Sequence, residues 1–428
     1  MGLDAKLKRG SIIVDARAEA LICNILKRLC DASNIASVPK IYFIVDDSLN
    51  AFATDQASIY IHTGLIIKLE NVEQLLAVIA HELGHINGGH IHRFKRESVG
   101  VSMASIIGTL IGGAAAIAGA GADGLVAGML LGQGAAQGEF AKYTRGHELE
   151  ADAAAFNMMQ KAGLSTEGGI KVFEFFKKTM MFGEPPYLKT HPSDQERVKA
   201  FENFRAQKPD DSSVSIPSEW ETEFQNIKAI FIANLHVTKD AEKRYVNKQS
   251  PDAILAQAVI LSRRGKHEEA CAKLDTLISK DPNNPYLYEI YGQLLLESGK
   301  KNIKKAIEKL KKAVALAPKA LSIRLLYAQA LYNDGSDGNL NIALTELDRI
   351  TQDDRQNAMA WHLKSGILEK MERKDEADLA LAEYASLTGD KSLAVRRAKR
   401  ASKSKKSKIK EEADSLSKEL NDNMVGDD

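Results

Sequence analysis

The sequence predicts a mainly α protein with a small β-sheet, an α+β class, continued by an α-solenoid. Three observations carry this expectation. Leu21, Ile22, Ile25, Leu26 and Leu29 open a series of apolar stripes at helical spacing. β-branched and aromatic residues gather in two short runs, Ile41-Tyr42-Phe43-Ile44-Val45 and Ile59-Tyr60-Ile61. Small residues recur in the second half, with Ala270, Ala306, Ala343 and Ala377 at intervals of 36, 37 and 34.

Taken in order, residues 11–36 form the first amphipathic helix. Two strands follow at 41–45 and 59–61, and Asn50-Ala51-Phe52-Ala53 between them is a third, partly exposed strand. Thr63-Gly64 closes the sheet. The next helix starts with Asn71 as N-cap and Gln74 three residues on, the capping-box pattern. Its run Leu75–Ala80 is apolar nearly all round, which places it in the centre of a domain. Residues 99–122 carry no charge, and 13 of these 24 are Gly or Ala. The stretch is long enough to span a bilayer, but Gly and Ala favour insertion little. A lid or membrane-facing hairpin over 99–138, a true span and a buried hairpin all fit it. A further helix runs from 141 to 162 and stops at Gly163. The polar stretch 206–218 opens a linker and connecting helix extending to 250.

The alanine repeat has the period of tetratricopeptide helix pairs, here over 251–390. Gly292 and Gly366 fall where two helices cross, and Pro282 and Pro318 close two units. Such pairs stack into a curved solenoid that binds extended chains or partner proteins. The tail 391–428 is charged: Lys391 to Lys410 holds ten basic residues and no acid. This reads as a solvated helix or a disordered end.

Composition removes several classes. Lys plus Arg is 58 and Asp plus Glu is 57, so the near-zero net charge argues against a nucleic-acid partner. Three cysteines exclude a disulfide scaffold. Met1-Gly2-Leu3-Asp4-Ala5-Lys6 has no apolar core of signal-peptide length, so the chain reads either as cytoplasmic or as a mature, exported form.

The chemistry sits in His81-Glu82-Leu83-Gly84-His85. Two imidazoles four residues apart share one helix face, the geometry of two ligands on one tetrahedral Zn²⁺. Glu82, one residue on, can reach a water on that ion. A third ligand six residues after His85 would have to be residue 91, which is Ile; His90 and His92 each miss by one. The alternative is a carboxylate from a second helix. In Arg145-Gly146-His147-Glu148-Leu149-Glu150-Ala151-Asp152, Glu148 and Asp152 share a face. Glu148 is expected to bind the metal, and Asp152 to fix the tautomer of a ligand histidine. Glu150 points elsewhere. Ala151, Ala153, Ala154 and Ala155 let the two helices approach. His62, His90, His92 and His147 have no ligand role by spacing.

These motifs resemble the zincin-like gluzincin metallopeptidase family that includes the HtpX, Oma-type and CAAX-prenyl proteases. Asn50, Ala51, Phe52 and Ala53 look like that family's substrate strand, and Thr190-His191-Pro192-Ser193 with Arg197 also resembles it. The likeness covers roughly 1–205. Joined to tetratricopeptide repeats, it is most like the BepA-type metalloprotease/chaperones of the bacterial periplasm. It implies one Zn²⁺ per chain, a signal peptide already removed, and unfolded or unassembled proteins as substrates. It further implies contact with the outer-membrane assembly machinery through the repeats, and peripheral membrane contact through 99–138. His191 and Arg197 are expected as catalytic donors to the oxyanion. The resemblance gives His191 a second role, as an inhibitory fourth ligand; a loop histidine that merely packs is the plainer alternative. The expected activity is zinc endopeptidase, in protein quality control in the envelope. A chaperone with a structural or latched zinc site is the rival, and a cytoplasmic or membrane-associated location the alternative.

Overall fold

The first strand, β1 (Ile12–Ile13), lies inside the segment expected to be helical. The helix α1 (Ala16–Ala32) starts later because the Asp15 carboxylate accepts from the Ala18 N–H at 2.8 Å and sets the N-cap there. The computed structural model describes residues 11–54, 57–90, 93, 135–179, 187, 191, 195–206, 216–235 and 238–425. They divide into two units, one ending at Ile260 and the other starting at Leu261.

In the first unit, β2 (Lys40–Ile44), β3 (Ala51–Ala53) and β4 (Ser58–His62) complete a four-stranded sheet in the order β1-β2-β4-β3. β2 and β4 are parallel, and β3 is the antiparallel edge strand, with Ala51 opposite Ile61 and Ala53 opposite Ile59. Alternation gives the sheet two faces. Phe43, Ile59 and Ile61 are buried on one. On the other, Tyr60 stacks on Tyr42 at 5.0 Å and on Phe52 at 5.1 Å. The chain does not stop at Thr63-Gly64 but enters a short helix, α2 (Thr63–Lys68). Gly64 is required there, since a Cβ would stand 2.3 Å from the Asp47 carbonyl.

α3 (Val72–Asn87) carries the histidine motif. Asn71 caps it, accepting from the Gln74 N–H at 3.1 Å, but the Gln74 side chain returns to the N–H of Glu70 in place of Asn71. α4 (Ala135–Lys161) crosses α3 and ends at Gly163, whose φ is +61°. The Leu164 N–H reaches the Met159 carbonyl and the Gly163 N–H the Gln160 carbonyl, a Schellman ending. α5 (Glu167–Thr179) packs on α3, and α6 (Gln195–Ala206) packs on α4 and α5. Phe201 meets both Phe156 and Phe173 edge-on.

The expected linker and connecting helix over 206–250 contains α7 (Ser218–Leu235), which is part of the core. Trp220, Phe224, Ile227, Phe231 and Ile232 are buried, with Phe231 edge-on to Phe43 at 6.0 Å. Arg17 pairs with Glu223 at 2.7 Å, and Lys228 donates to the Leu69 carbonyl. Apolar periodicity, not the polar residues before it, decides where this helix sits. α8 (Thr238–Tyr245) follows, and α9 (Pro251–Arg263) reaches the boundary between the units.

The approach of α4 to α3 is set by Gly84. A Cβ there would lie 2.7 Å from the Ala151 carbonyl oxygen and 3.1 Å from its Cα. Ala151 and Ala155 are the two alanines buried at the crossing, while Ala153 and Ala154 remain partly exposed. Gly84→Ala should therefore push the helices apart and destabilise the first unit by about 1–3 kcal/mol. A thermal melt compared with wild type checks this, and an unchanged melt would show that the crossing relaxes freely.

The second unit is helical throughout its described residues. It comprises α10 (His267–Lys280), α11 (Pro285–Glu297), α12 (Ile303–Leu316), α13 (Leu321–Asp334), α14 (Asp337–Asp353), α15 (Ala358–Lys370), α16 (Lys374–Leu387), α17 (Lys391–Ala401) and α18 (Ser407–Val425). Ala270, Ala306 and Ala343 are fully buried, and Ala377 partly so. Gly292 makes the closest crossing, with a Cβ position 2.4 Å from Leu310; Gly366 faces the Tyr332 hydroxyl at 3.2 Å. The charged tail expected from residue 391 is a packed helical pair. Ala394, Ala398, Ala401, Ala413, Leu416 and Leu420 form one apolar cluster with Leu379, Ala382 and Ala385 of α16. Residues 99–134, with the uncharged stretch 99–122, lie outside the described residues. Among those described, no helix is long and apolar enough to cross a membrane.

Candidate metal centre

α3 delivers His81, Glu82 and His85, all buried, and α4 delivers Glu148 and Asp152 across the Gly84–Ala151 contact. His191 and Arg197, both buried, complete the group. His191 is placed by its backbone: its N–H donates to the Tyr187 carbonyl at 2.8 Å, and the Tyr187 N–H donates to the Leu49 carbonyl at 3.1 Å. The Tyr187 ring lies between Phe176 and His191, with centroids 4.8 and 4.6 Å away. Thr190, Pro192 and Ser193 lie outside the described residues.

Four donor groups converge. His81 Nε2 is 3.0 Å from His85 Nε2 and 3.3 Å from both His191 Nδ1 and Glu148 Oε2. Glu148 Oε1 is 3.3 Å from His85 Nε2 and 3.0 Å from His191 Nδ1. Zinc bonds of about 2.0–2.1 Å in a tetrahedron require donors about 3.3 Å apart. The three imidazoles and one carboxylate therefore have the spacing and the donor types of a zinc site, and His81, His85, Glu148 and His191 fit the ion as a set.

Asp152 and Arg197 brace this group. Asp152 Oδ1 lies 2.8 Å from His81 Nδ1, which fixes the His81 tautomer with Nε2 turned inward. Arg197 grips both Asp152 oxygens, at 2.6 Å through Nε and 2.9 Å through Nη2. Its Nη1 reaches Glu148 Oε2 at 3.1 Å and the His191 carbonyl at 3.2 Å. A guanidinium engaged on all three nitrogens is a buttress for the two carboxylates. The oxyanion role expected for Arg197 from sequence would draw on the same guanidinium, whose three nitrogens here face Asp152, Glu148 and the His191 carbonyl.

Electrostatics separate the groups. Burial works against a charge on His81, yet hydrogen bonds to Asp152 and Glu148 raise its pKa to about 10. His85 is driven down to about 3 by burial and the neighbouring His81. Burial pushes Glu148 and Asp152 up, but His191 and the ligand histidines hold Glu148 well below the usual carboxylate range, and Arg197 holds Asp152 down. Glu82 behaves differently. It is fully buried, burial raises its pKa, and His191, His81 and the Ala53 backbone N–H only partly offset this. Among the described residues neither Glu82 oxygen makes a hydrogen bond of normal geometry, and His191 Nε2 stands 3.6 Å from one of them. A buried carboxylate of raised pKa beside a donor cluster is poised to handle a proton.

β3, with buried Ala51 and Phe52, is the sheet's edge and packs against α3; Asn50 precedes it, fully buried. Two histidines set aside on spacing lie next to the cluster. His90 Nδ1 is 2.9 Å from His85 Nδ1, and His147 stacks on His90 at 4.5 Å. Burial and His147 lower the His90 pKa to about 4. The two glycines before His90 were the available signal. His62 bonds Ser48 Oγ at 2.7 Å and has no part in the cluster.

Residues 16–205 match the model of Peptidase family M48. The chain is similar to the beta-barrel assembly-enhancing protease of Escherichia coli (strain K12), 24% identical over 394 residues, covering 89% of this chain and 78% of that protein. It is also similar to a putative beta-barrel assembly-enhancing protease of Vibrio cholerae, 29% identical over 190 residues, covering 44% of this chain and 39% of the relative. A solved thermophilic TPR protein of Thermus thermophilus aligns with 43% of this chain and 93% of its own, at 18% identity and a TM-score of 0.30.

Proposed function

We propose, from the premise that residues 16–205 form a zinc metalloprotease domain of peptidase family M48, that the chain is an endopeptidase which removes misfolded or unassembled outer-membrane proteins in the bacterial envelope. The observation that carries this reading is the convergence of His81, His85, Glu148 and His191 beside the buried carboxylate of Glu82. Zinc in such a site supplies Lewis-acid chemistry and makes water a nucleophile near neutral pH.

The chain's own residues do the rest. His81, His85 and Glu148 hold the ion. Asp152 and Arg197 lock His81 and Glu148 in place. Glu82 takes the proton of the attacking water and returns it to the leaving amine. The edge strand β3, with Asn50, Ala51, Phe52 and Ala53, pairs with an extended substrate backbone, which brings a peptide bond to Glu82. His191, with Nδ1 inside the cluster, acts as a latch when it takes the fourth position and as an oxyanion donor when it withdraws. The helical repeats supply the binding surface for substrate or assembly partner, and the location is the periplasm. A chaperone with a silenced site would have no need to bury Glu82 beside the cluster.

The test measures bound zinc and cleavage of a urea-unfolded porin by the full chain and by Glu148→Gln. Wild type should hold one zinc and cut the porin, and Glu148→Gln should bind zinc at least about tenfold more weakly and cut none. A zinc-loaded wild type that cuts no unfolded chain, with His191→Ala equally inert, would overturn the reading.

A further inference from the structure

His85 turns Nε2 into the cluster and Nδ1 away from it. That outer nitrogen meets His90 Nδ1 at 2.9 Å. On the far side of the His90 ring, Nε2 lies 3.1 Å from Glu150 Oε2, and Arg93 binds the same oxygen at 2.8 Å. His90 is buried and its ring lies flat on His147, with an interplanar angle of 2°. Two ring nitrogens this close must share one proton, one donating and one accepting. With His85 Nε2 given to a metal, the His85 proton sits on Nδ1, so His90 Nδ1 accepts. His90 then carries its own proton on Nε2 and donates it to Glu150. One direction of donation runs from the metal ligand to a half-exposed carboxylate.

The backbone between the two histidines is shaped for this. Gly89 has φ +61° with open space around it, so its conformation, not crowding, requires glycine. Gly88 is crowded: a Cβ would stand 2.3 Å from His90 Nε2. Arg93 donates to the Gly88 carbonyl at 2.9 Å and holds the turn. Gly88-Gly89 thus folds His90 back against the end of α3.

We propose that His90 is a positioning residue for His85, fixing its tautomer and ring orientation through the Nδ1–Nδ1 hydrogen bond and thereby setting zinc affinity. It rests on the metal reading above. His81 is backed by a buried anion, Asp152, and His85 by a neutral ring, so the two ligands are supported by different chemistry.

The experiment uses the full chain, zinc alone, and competition with a chromophoric chelator, with the visible spectrum of the cobalt(II)-loaded protein as a second readout. His90→Leu should bind zinc about 10–100-fold more weakly and shift the cobalt bands. His90→Asn, which puts Oδ1 where Nδ1 stood, should recover most of the affinity. Gly88→Ala, which leaves His90 in place but pushes its ring aside, should weaken binding as well, so the idea stays testable if His90→Leu does not fold. Wild-type affinity in both His90→Leu and Gly88→Ala would overturn the proposal, as would an Asn variant as weak as Leu. If the wild type takes up no zinc, the metal reading fails and His90 falls with it. Zinc lost in Glu148→Gln but kept in both His90→Leu and Gly88→Ala would sink this proposal and leave the metal reading standing.

Discussion

Glu82→Gln is expected to retain zinc at wild-type level and to lose peptide cleavage by about 10²–10⁴-fold, the usual contribution of a positioned proton carrier. The two results come from separate parts of the site. The four groups whose donor atoms converge are His81, His85, Glu148 and His191, and Glu82 is not one of them. Glu82 is buried beside them, and among the described residues neither oxygen makes a hydrogen bond of normal geometry, so an amide of the same shape removes the proton acceptor and little else. Relieving a buried acid of its charge should also leave the fold as stable or slightly more so. Metal analysis, cleavage of unfolded porin and a thermal melt read the three outcomes. Cleavage by Glu82→Gln at even a tenth of the wild-type rate would move the proton chemistry to another residue.

Arg197→Met should destabilise the first unit by about 3–5 kcal/mol, because it leaves two buried carboxylates without their cation. For a unit of this size that corresponds to a fall in Tm of roughly 6–20 °C. Arg197 binds Asp152 with two nitrogens and Glu148 with the third. Arg197→Lys keeps the charge but loses the fork, and should fall between the two. Adding Asp152→Asn to Arg197→Met removes one stranded charge and should return part of the loss. If the double variant is no more stable than Arg197→Met alone, the cost lies in packing against Phe173, over which the guanidinium sits at 5.0 Å.

Much of this site was legible because helices convert spacing into direction. His81 and His85, then Glu148 and Asp152, each lie one helical turn apart, and both pairs meet as that spacing implies. His90 was signalled only by the Gly88-Gly89 pair before it. Its place depends on a left-handed turn at Gly89, and periodicity carries no information once the helix has ended. The β1 strand is two residues long and pairs with a distant partner, which local pattern does not reveal. α17 and α18 were hidden by composition. Their buried stripe is mostly alanine set among lysine and arginine, and a charge count sees only the outer face. The repeats before them follow the alanine spacing because their crossing helices need small residues at fixed positions.

The pair α17–α18 also covers the apolar face that α16 offers. Each helical repeat offers an apolar face to the next, so an array that stopped at Gly389 would present Leu379, Ala382 and Ala385 as a growing end. Another copy could add there without closing a ring, the geometry of a filament. Here the last helix turns Ala413, Leu416 and Leu420 inward and leaves Lys408, Lys410, Glu411, Glu412, Lys418 and Glu419 in water. The pair thereby keeps the apolar face of α16 from becoming a template for assembly.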